Sequence, residues 1–437
     1  MKKAATDNVE HIFEKSYISH KDGRFSEAEN GYRRILEIKP EWGQAMSALG
    51  ILYLDQDLPD KALPLFEKAA GLNPPDLSAC YQLGRLKQMA NDHQGAIPLY
   101  QQMLEQQPEA GLVWNNLGVA YRETGNGEEA MESFRAAVRF APEMAQAWNN
   151  LGVALDEKGQ VEQALNAYQK AIELHPDYVS PHLNSGIILQ KLDRFEKAET
   201  HYRQVLDIQP ENEIATFMLQ SIGGEESTPD AEPVDHVRSI FDQCAEDFEG
   251  SLVEELEYKT PERLFRLVQP YLTENMEILD LGCGTGLGAV LYQPFAKRLT
   301  GVDVSEKMLE KAAEKEIYSH LAVFDILQAW SFPMKFDLIY SSDVFVYFGS
   351  LDHIIQSAAA ALVPGGKIAF SVEKLKDDLK DYALYPSGRY AHAQKYIQTC
   401  LERYGFKALA LDCTNIRMQS GNPVKGVLVV AEKYNSF

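Results

Sequence analysis

The chain has 437 residues, 45% of them apolar, and a formal net charge of −22. This length suits two domains, each able to bury a core, and the acidic balance argues against nucleic acid as a partner. Five scattered cysteines (80, 244, 283, 400 and 413), with no Cys-x-x-Cys spacing, argue against a bound metal or a disulfide framework, and no apolar run is long enough to target or span a membrane, so a cytoplasmic protein is expected.

The first half is periodic. Prolines at 40, 74, 108, 142, 176 and 210 stand 34 residues apart, as do alanines at 28, 62, 96, 130, 164 and 198. Glycines at 50, 84, 118, 152 and 186 and the aromatics Tyr32, Phe66, Tyr100, Phe134, Tyr168 and Tyr202 keep the same phase. Small residues at fixed spacing let two helices approach closely, an aromatic fills the space between units, and proline ends the second helix. The pattern resembles the tetratricopeptide repeat, a helix–turn–helix unit. Six repeats are phased over 9–42, 43–76, 77–110, 111–144, 145–178 and 179–212, with a closing helix over 213–222. Such units stack into a solenoid whose concave face carries the first helix of each pair.

Asn116, Asn150 and Asn184 recur at one repeat position on that face. An amide both donates and accepts, so the ladder suits the backbone of an extended protein or peptide partner. The same residues also suit a plain polar helix face.

The stretch 223–233, with two Gly and two Pro among acidic residues, reads as a linker between a repeat domain (1–222) and a second domain (234–437). After it, the segments from Val237 and from Leu252 are helical in pattern, and Phe241, Phe248 and Tyr258 are candidates for a lid over a ligand or for helix-on-sheet packing. Beyond them strand and helix alternate, with seven candidate strands at 276–281, 298–303, 321–325, 336–341, 367–373, 406–414 and 425–432. That alternation predicts a doubly wound α/β sheet, where ligands bind beyond the carboxyl ends of the strands.

Ile278-Leu-Asp-Leu-Gly-Cys-Gly-Thr-Gly-Leu-Gly288 joins the first strand to a Gly-rich turn. Gly282, Gly284 and Gly286 permit a sharp turn and close approach of a ligand, and Asp280 precedes them. Leu287 stands where a dinucleotide fingerprint requires glycine, and Asp303 ends the next strand. These residues resemble motifs I and II of the class I S-adenosylmethionine (SAM) methyltransferases. The combined layout is similar to bacterial methyltransferases that carry tetratricopeptide repeats. The resemblance implies a multidomain protein: an all-α solenoid, then a Rossmann-like α/β domain with a seven-stranded sheet. It implies SAM as cofactor, with S-adenosylhomocysteine as product.

On this resemblance Asp280 neighbours the methionine moiety and Asp303 accepts from the ribose hydroxyls. Val304 and Met308 lie by the adenine, and Asp325 with Ile326 contacts its edge. Tyr258 and Ser341 complete the cofactor set. Asp325 alternatively forms an ordinary turn or cap.

Ser341-Ser-Asp343 occupies the position of motif IV, and Asp343 is either the group that orients or deprotonates an acceptor or a structural cap. His392 is the second catalytic candidate and Glu373 the third. Leu384-Tyr-Pro-Ser-Gly-Arg-Tyr-Ala-His places Ser387, Arg389 and Tyr390 near a substrate pocket, for which Tyr347 is a further candidate, or else forms a helix-capping turn. The reading is methyl transfer to a nitrogen or oxygen of a protein or peptide recruited by the repeats. A small-molecule acceptor with the repeats as docking module, or a SAM-binding scaffold, are the alternatives.

Overall fold

The computed structural model describes residues 2–223, 229–245, 248–250, 258–376, 380–419 and 422–434. They fall into two compact units, Met1–Ser185 and Gly186–Phe437.

The first unit is a series of helix pairs: α1 (Lys2–Lys21) with α2 (Phe25–Ile38), α3 (Gly43–Leu54) with α4 (Pro59–Ala70), α5 (Leu77–Met89) with α6 (His93–Gln106), α7 (Gly111–Glu123) with α8 (Gly127–Phe140), and α9 (Ala145–Glu157) with α10 (Val161–Leu174). Helix α11 (Val179–Lys191) contains the division between the units. All six periodic alanines are fully buried. Each periodic glycine meets the ring sixteen residues on, in its own helix pair: a Cβ on Gly50, Gly84, Gly118 or Gly152 would lie 2.5–2.6 Å from that ring. The turn inside each pair has its own signature. Gly23, Asp57, Asn91, Gly125, Gly159 and Asp193 all adopt positive φ, from 57° to 77°. The left-handed turn therefore recurs every repeat, and Gly, Asn or Asp supplies it because other side chains clash there.

The second unit opens with the closing helices of the repeats, α12 (Phe195–Ile208) and α13 (Glu213–Gly223). Helices α14 (Val234–Cys244), α15 (Phe248–Gly250) and α16 (Thr260–Val268) precede the sheet. The helical pattern expected from Leu252 runs partly over 251–257, outside the described residues.

The sheet contains β1 (Met276–Leu281), β2 (Ala296–Asp303), β3 (His320–Val323), β4 (Phe336–Ser341), β5 (Leu362–Lys374), β6 (Tyr382–Leu384), β7 (Tyr390–His392), β8 (Phe406–Gln419) and β9 (Asn422–Lys433). Strands β3-β2-β1-β4-β5 run parallel, and β9 and then β8 continue antiparallel from β5. These are the seven strands foreseen. Two more, β6 and β7, form a hairpin whose β7 pairs with the end of β5. Three-residue strands carry too little alternation to be seen in a sequence, and Gly388, at φ 75°, makes the turn between them. The segment is thus a hairpin and not a helix cap: the next helix starts only at Gln394.

Parallel strands with crossovers on both faces leave β1 and β4 adjacent at the point where strand order reverses. Both strands are almost wholly buried, which fits their continuous apolar runs. Asp280 on β1 pairs in register with Tyr340 on β4, which places a carboxylate beside a phenol at the switch point.

Candidate active site

One cavity at the carboxyl ends of the strands gathers most of the predicted positions. Asp280, Gly282, Gly284, Asp303, Val304, Asp325, Ile326, Asp343, Tyr347, Tyr258 and Arg389 all line it.

Its floor is the glycine turn. Gly282, Gly284 and Gly286 have φ of 74°, 53° and 82°. A Cβ on Gly282 would lie 2.4 Å from Val344 Cγ2. Gly286 shapes the turn without lining the cavity, its position closed by Tyr318. Asp280 is buried, and its Oδ2 accepts from the hydroxyls of Tyr340 (2.5 Å) and Tyr318 (2.7 Å). Burial pushes its carboxyl up to about 7 while both phenols pull it back.

Asp303 holds the turn from the next strand. Its Oδ2 accepts from Gly284 N (2.8 Å) and its Oδ1 from Ser305 N (2.9 Å). Burial raises its pKa and these backbone donors oppose the rise. Ser305 caps α17 (Glu306–Glu314) by accepting from Met308 N, and its hydroxyl donates to Asp242 of α14 at 2.5 Å. Met308 is fully buried and packs beneath the site without lining it. Asp325 Oδ1 accepts from Leu327 N at 2.9 Å, an Asx turn that still leaves the residue facing the cavity. Phe241 and Phe248 line the opposite wall, in edge contact at 5.9 Å.

The far end of the cavity is charged. Asp343 follows β4 with φ 62°, and its N–H donates to Ser371 Oγ. Arg417, from β8, reaches both Asp343 oxygens at 3.1 and 3.2 Å and also pairs with Glu373. Arg389 lies 3.5 Å from Asp343 and 5.5 Å from the Tyr347 ring centroid. Burial opposes its charge, but Tyr347, Asp343, Glu373 and Glu232 together hold its pKa above the ordinary value. Glu232 also lines the cavity; burial pushes its carboxyl up to about 8, against the pull of Arg389.

Other candidates lie elsewhere. His392 is fully buried behind the cavity, with Nε2 3.0 Å from Gly349 O and its pKa pulled down to about 4 by burial. Glu373 is buried against Arg417. Ser341 donates to Leu281 O, while its neighbour Ser342 takes the lining position. Ser387 is exposed, and Tyr390 is buried with its hydroxyl donating to Pro229 O. Asn150 is buried and its amide donates to Asn115 Oδ1 at 2.9 Å; Asn184 reaches Asn149 at 3.5 Å, and the half-buried Asn116 lies by the Tyr100 hydroxyl. The amides of this ladder are therefore at least partly occupied within the solenoid.

Glu232, Arg417 and the phenols of Tyr318 and Tyr340 are site residues that sequence reasoning did not single out. Tyr340 had a signal, since it sits beside Asp280 once β1 and β4 are adjacent. Glu232 lies in the acidic stretch before α14. Its N–H donates to Tyr347 O and Asp230 O accepts from Gly349 N, so the described residues 230–232 run along 347–349.

A methyltransferase-domain family model matches residues 253–411, and tetratricopeptide-repeat models match 21–76, 81–145, 145–178 and 180–212. A malonyl-[acyl-carrier protein] O-methyltransferase of Priestia megaterium is 33% identical over 104 residues, 23% of this chain and 38% of that protein. A 27-O-demethylrifamycin SV methyltransferase of Amycolatopsis mediterranei is 28% identical over 148 residues, 32% of this chain and 50% of that protein. The chain thus spans half or less of these curated relatives. A SAM-dependent methyltransferase structure from Mesorhizobium loti is 20% identical, with 40% of this chain and 99% of that one covered and a TM-score of 0.34. No described helix is long and apolar enough to cross a membrane. Among the described residues no group of three or more His, Cys, Asp or Glu is placed to hold a metal ion. Taken together, the matched models and the sheet topology give this chain tetratricopeptide repeats followed by a methyltransferase domain built on a mostly parallel α/β sheet.

Proposed function

We propose that this chain binds SAM along the glycine turn and transfers its methyl group to an oxygen of an acceptor seated between Asp343 and Arg389. The observation that carries this is the continuity of one cavity from Gly284 and Asp303 to Asp343 and Arg389.

The residues present suit the cofactor. The Asp303 carboxylate accepts from the backbone N–H groups of Gly284, Ser305 and Val304, and with about four acceptor places in all it keeps room for a ribose hydroxyl. The cradle at Gly282 is one that a Cβ would fill. Asp280 lies beside the turn, and Val304, Asp325 and Ile326 offer an apolar wall with an acceptor at its edge. When bound, the cofactor supplies an electrophilic methyl group on a sulfonium.

The protein's own contribution is positioning and exclusion of water. Phe241, Phe248 and Val237 supply apolar cover. Asp343, held by Arg417, is placed to accept the proton of an acceptor hydroxyl and to aim its lone pair. His392 and Glu373 do not reach the cavity lining, which leaves this role to Asp343. Oxygen is preferred over nitrogen because the two curated relatives above carry O-methyl chemistry in their names.

A second role is favoured by the first unit. Phe13, Tyr17, Gln44, Ser47, Ile51 and Asp76 line a groove on the first helices of the early repeats. We propose that it docks a protein or peptide, either the acceptor itself or its carrier.

The test is methyl-labelled SAM with the purified chain and fractionated cell extract. Label transferred to an oxygen, and lost on Asp343→Ala, is the expected result. Transfer that Asp343→Ala leaves unchanged would remove Asp343 from the chemistry. Failure of the chain to bind SAM would overturn the whole reading.

A further inference from the structure

We propose that the acceptor carries a carboxylate on an apolar body, and that Arg389 is the residue that binds it. This rests on the methyltransferase reading above and names the substrate class for the same site.

Arg389 lies at the end of the turn between β6 and β7 and lines the cavity. Its Nη1 is buried and has no hydrogen-bond acceptor among the described residues, although Asp343 is within ion-pair distance at 3.5 Å. Asp343 is already engaged: Arg417 Nη1 reaches both its oxygens, and Arg417 Nη2 pairs with Glu373. A buried guanidinium N–H without an acceptor is costly, and a ligand oxygen arriving in the cavity removes that cost.

Glu232 makes the ligand more specific. It lines the same cavity and is buried, with its proton retained to about pH 8. At neutral pH it is therefore a donor as well as an acceptor. Glu232 Oε1 also lies 3.5 Å from His236 Nε2, so the buried guanidinium N–H of Arg389 is the donor that calls for an accepting group, beside a carboxyl that at neutral pH adds no negative charge. A carboxylate is such a group, and its bonds to arginine are charge-assisted. An ammonium would meet Arg389 as a like charge, and a primary amide would bring N–H groups of its own. Val234, Val237, Phe241 and Tyr347 complete this end of the cavity and suit an aliphatic or aromatic body.

The test is calorimetric titration of the full chain with hexanoate, with its neutral counterpart hexanamide, and separately with SAM. Hexanoate is expected to bind at least about tenfold more tightly than hexanamide. Arg389→Met should weaken hexanoate by about tenfold or more while leaving SAM affinity within about threefold. Arg389→Lys keeps the charge without the planar fork and should fall between the two. It decides the matter if Arg389→Met does not fold. Equal binding of hexanoate and hexanamide, no hexanoate binding at all, or full binding by Arg389→Lys and Arg389→Met alike would overturn the proposal. Hexanoate held through Arg389 in a chain that binds no SAM would support the carboxylate site and sink the methyltransferase reading instead.

Discussion

Gln190, in the last repeat, donates a 2.8 Å hydrogen bond to the carbonyl oxygen of Pro386, 196 residues further along the chain. The same amide nitrogen reaches Ser221 Oγ, and Gln190 Oε1 accepts from the Tyr202 hydroxyl at 2.7 Å. Phe217 of α13 packs against the Tyr390 ring at 6.3 Å. All of these residues belong to the second unit. The β6–β7 hairpin that carries Arg389 is therefore tied to α11 through Gln190 and to α13 through Phe217.

Phe217→Ala should consequently act on both stability and acceptor binding. The ring is almost fully buried, so its loss is expected to cost about 3–5 kcal/mol. Hexanoate affinity should fall with it, while SAM affinity falls less, because the glycine turn lies on other elements. Urea unfolding and calorimetry check the two parts. A variant that loses stability but binds both ligands like wild type would show that the closing helices do not position Arg389.

Asp303→Asn tests the cofactor site. One carboxylate holds Gly284 N and Ser305 N and, in the proposed complex, the ribose. Losing charge-assisted bonds of this kind costs about 1.5–3 kcal/mol, so SAM affinity should drop about 10- to 100-fold in equilibrium dialysis. Unchanged affinity would exclude Asp303 from the cofactor site.

In the solenoid, Gly118→Ala should reverse the usual sign of a helical Gly→Ala change. On an open helix that substitution stabilises by about 1 kcal/mol. Here the new Cβ would lie 2.6 Å from the Phe134 ring, in a pair with no room to separate, and overpacking costs about 1–3 kcal/mol. Gly125→Ala meets no neighbour, yet it should also destabilise, by about 1–2 kcal/mol, because its φ is +77°. Denaturant midpoints of the two variants separate crowding from backbone strain.

The Glu232–His236 pair sets a pH dependence. Burial raises Glu232 from 4.5 to about 8 and lowers His236 from 6.5 to about 4. For Glu232 the folded pKa exceeds the unfolded one, so its contribution is complete below about pH 4.5 and is lost as pH rises to about 8. For His236 the loss runs the other way, as pH falls from 6.5 towards 4. Between pH 6.5 and 8 the Glu232 contribution dominates the pair, so Tm should fall over that window in the wild type and fall less in Glu232→Gln. Parallel slopes by scanning calorimetry would mean that Glu232 is not held protonated. Hexanoate affinity should decline over the same window as Glu232 becomes an anion beside the ligand.

The repeats, the glycine turn and the strand-end acids were legible because each follows from local geometry. A 34-residue period appears wherever one helix pair is copied, and the alanines and glycines mark the closest approaches within it. The left-handed turn residues from Gly23 to Asp193 keep that period as well, but Gly, Asn and Asp share the position, which hid it. Asp280 and Asp303 stand out because a strand must end before a ligand can be bound.

Two residues of the charged end had no such mark. Glu232 lies in a stretch whose acidic, Pro- and Gly-containing composition reads as linker, and Arg417 lies near the end of a long edge strand, whereas Asp343 and Arg389 stood in segments the sequence had singled out. His392 shows the converse: a titratable ring in a suggestive motif, turned by β7 into the core. By itself the sequence determined the two-part architecture, the repeat geometry and the glycine turn, since these depend on residues close together or strictly periodic. Only the tertiary structure decided which charges share the cavity, because Glu232, Asp343, Arg389 and Arg417 meet through pairings between distant segments that leave no local pattern.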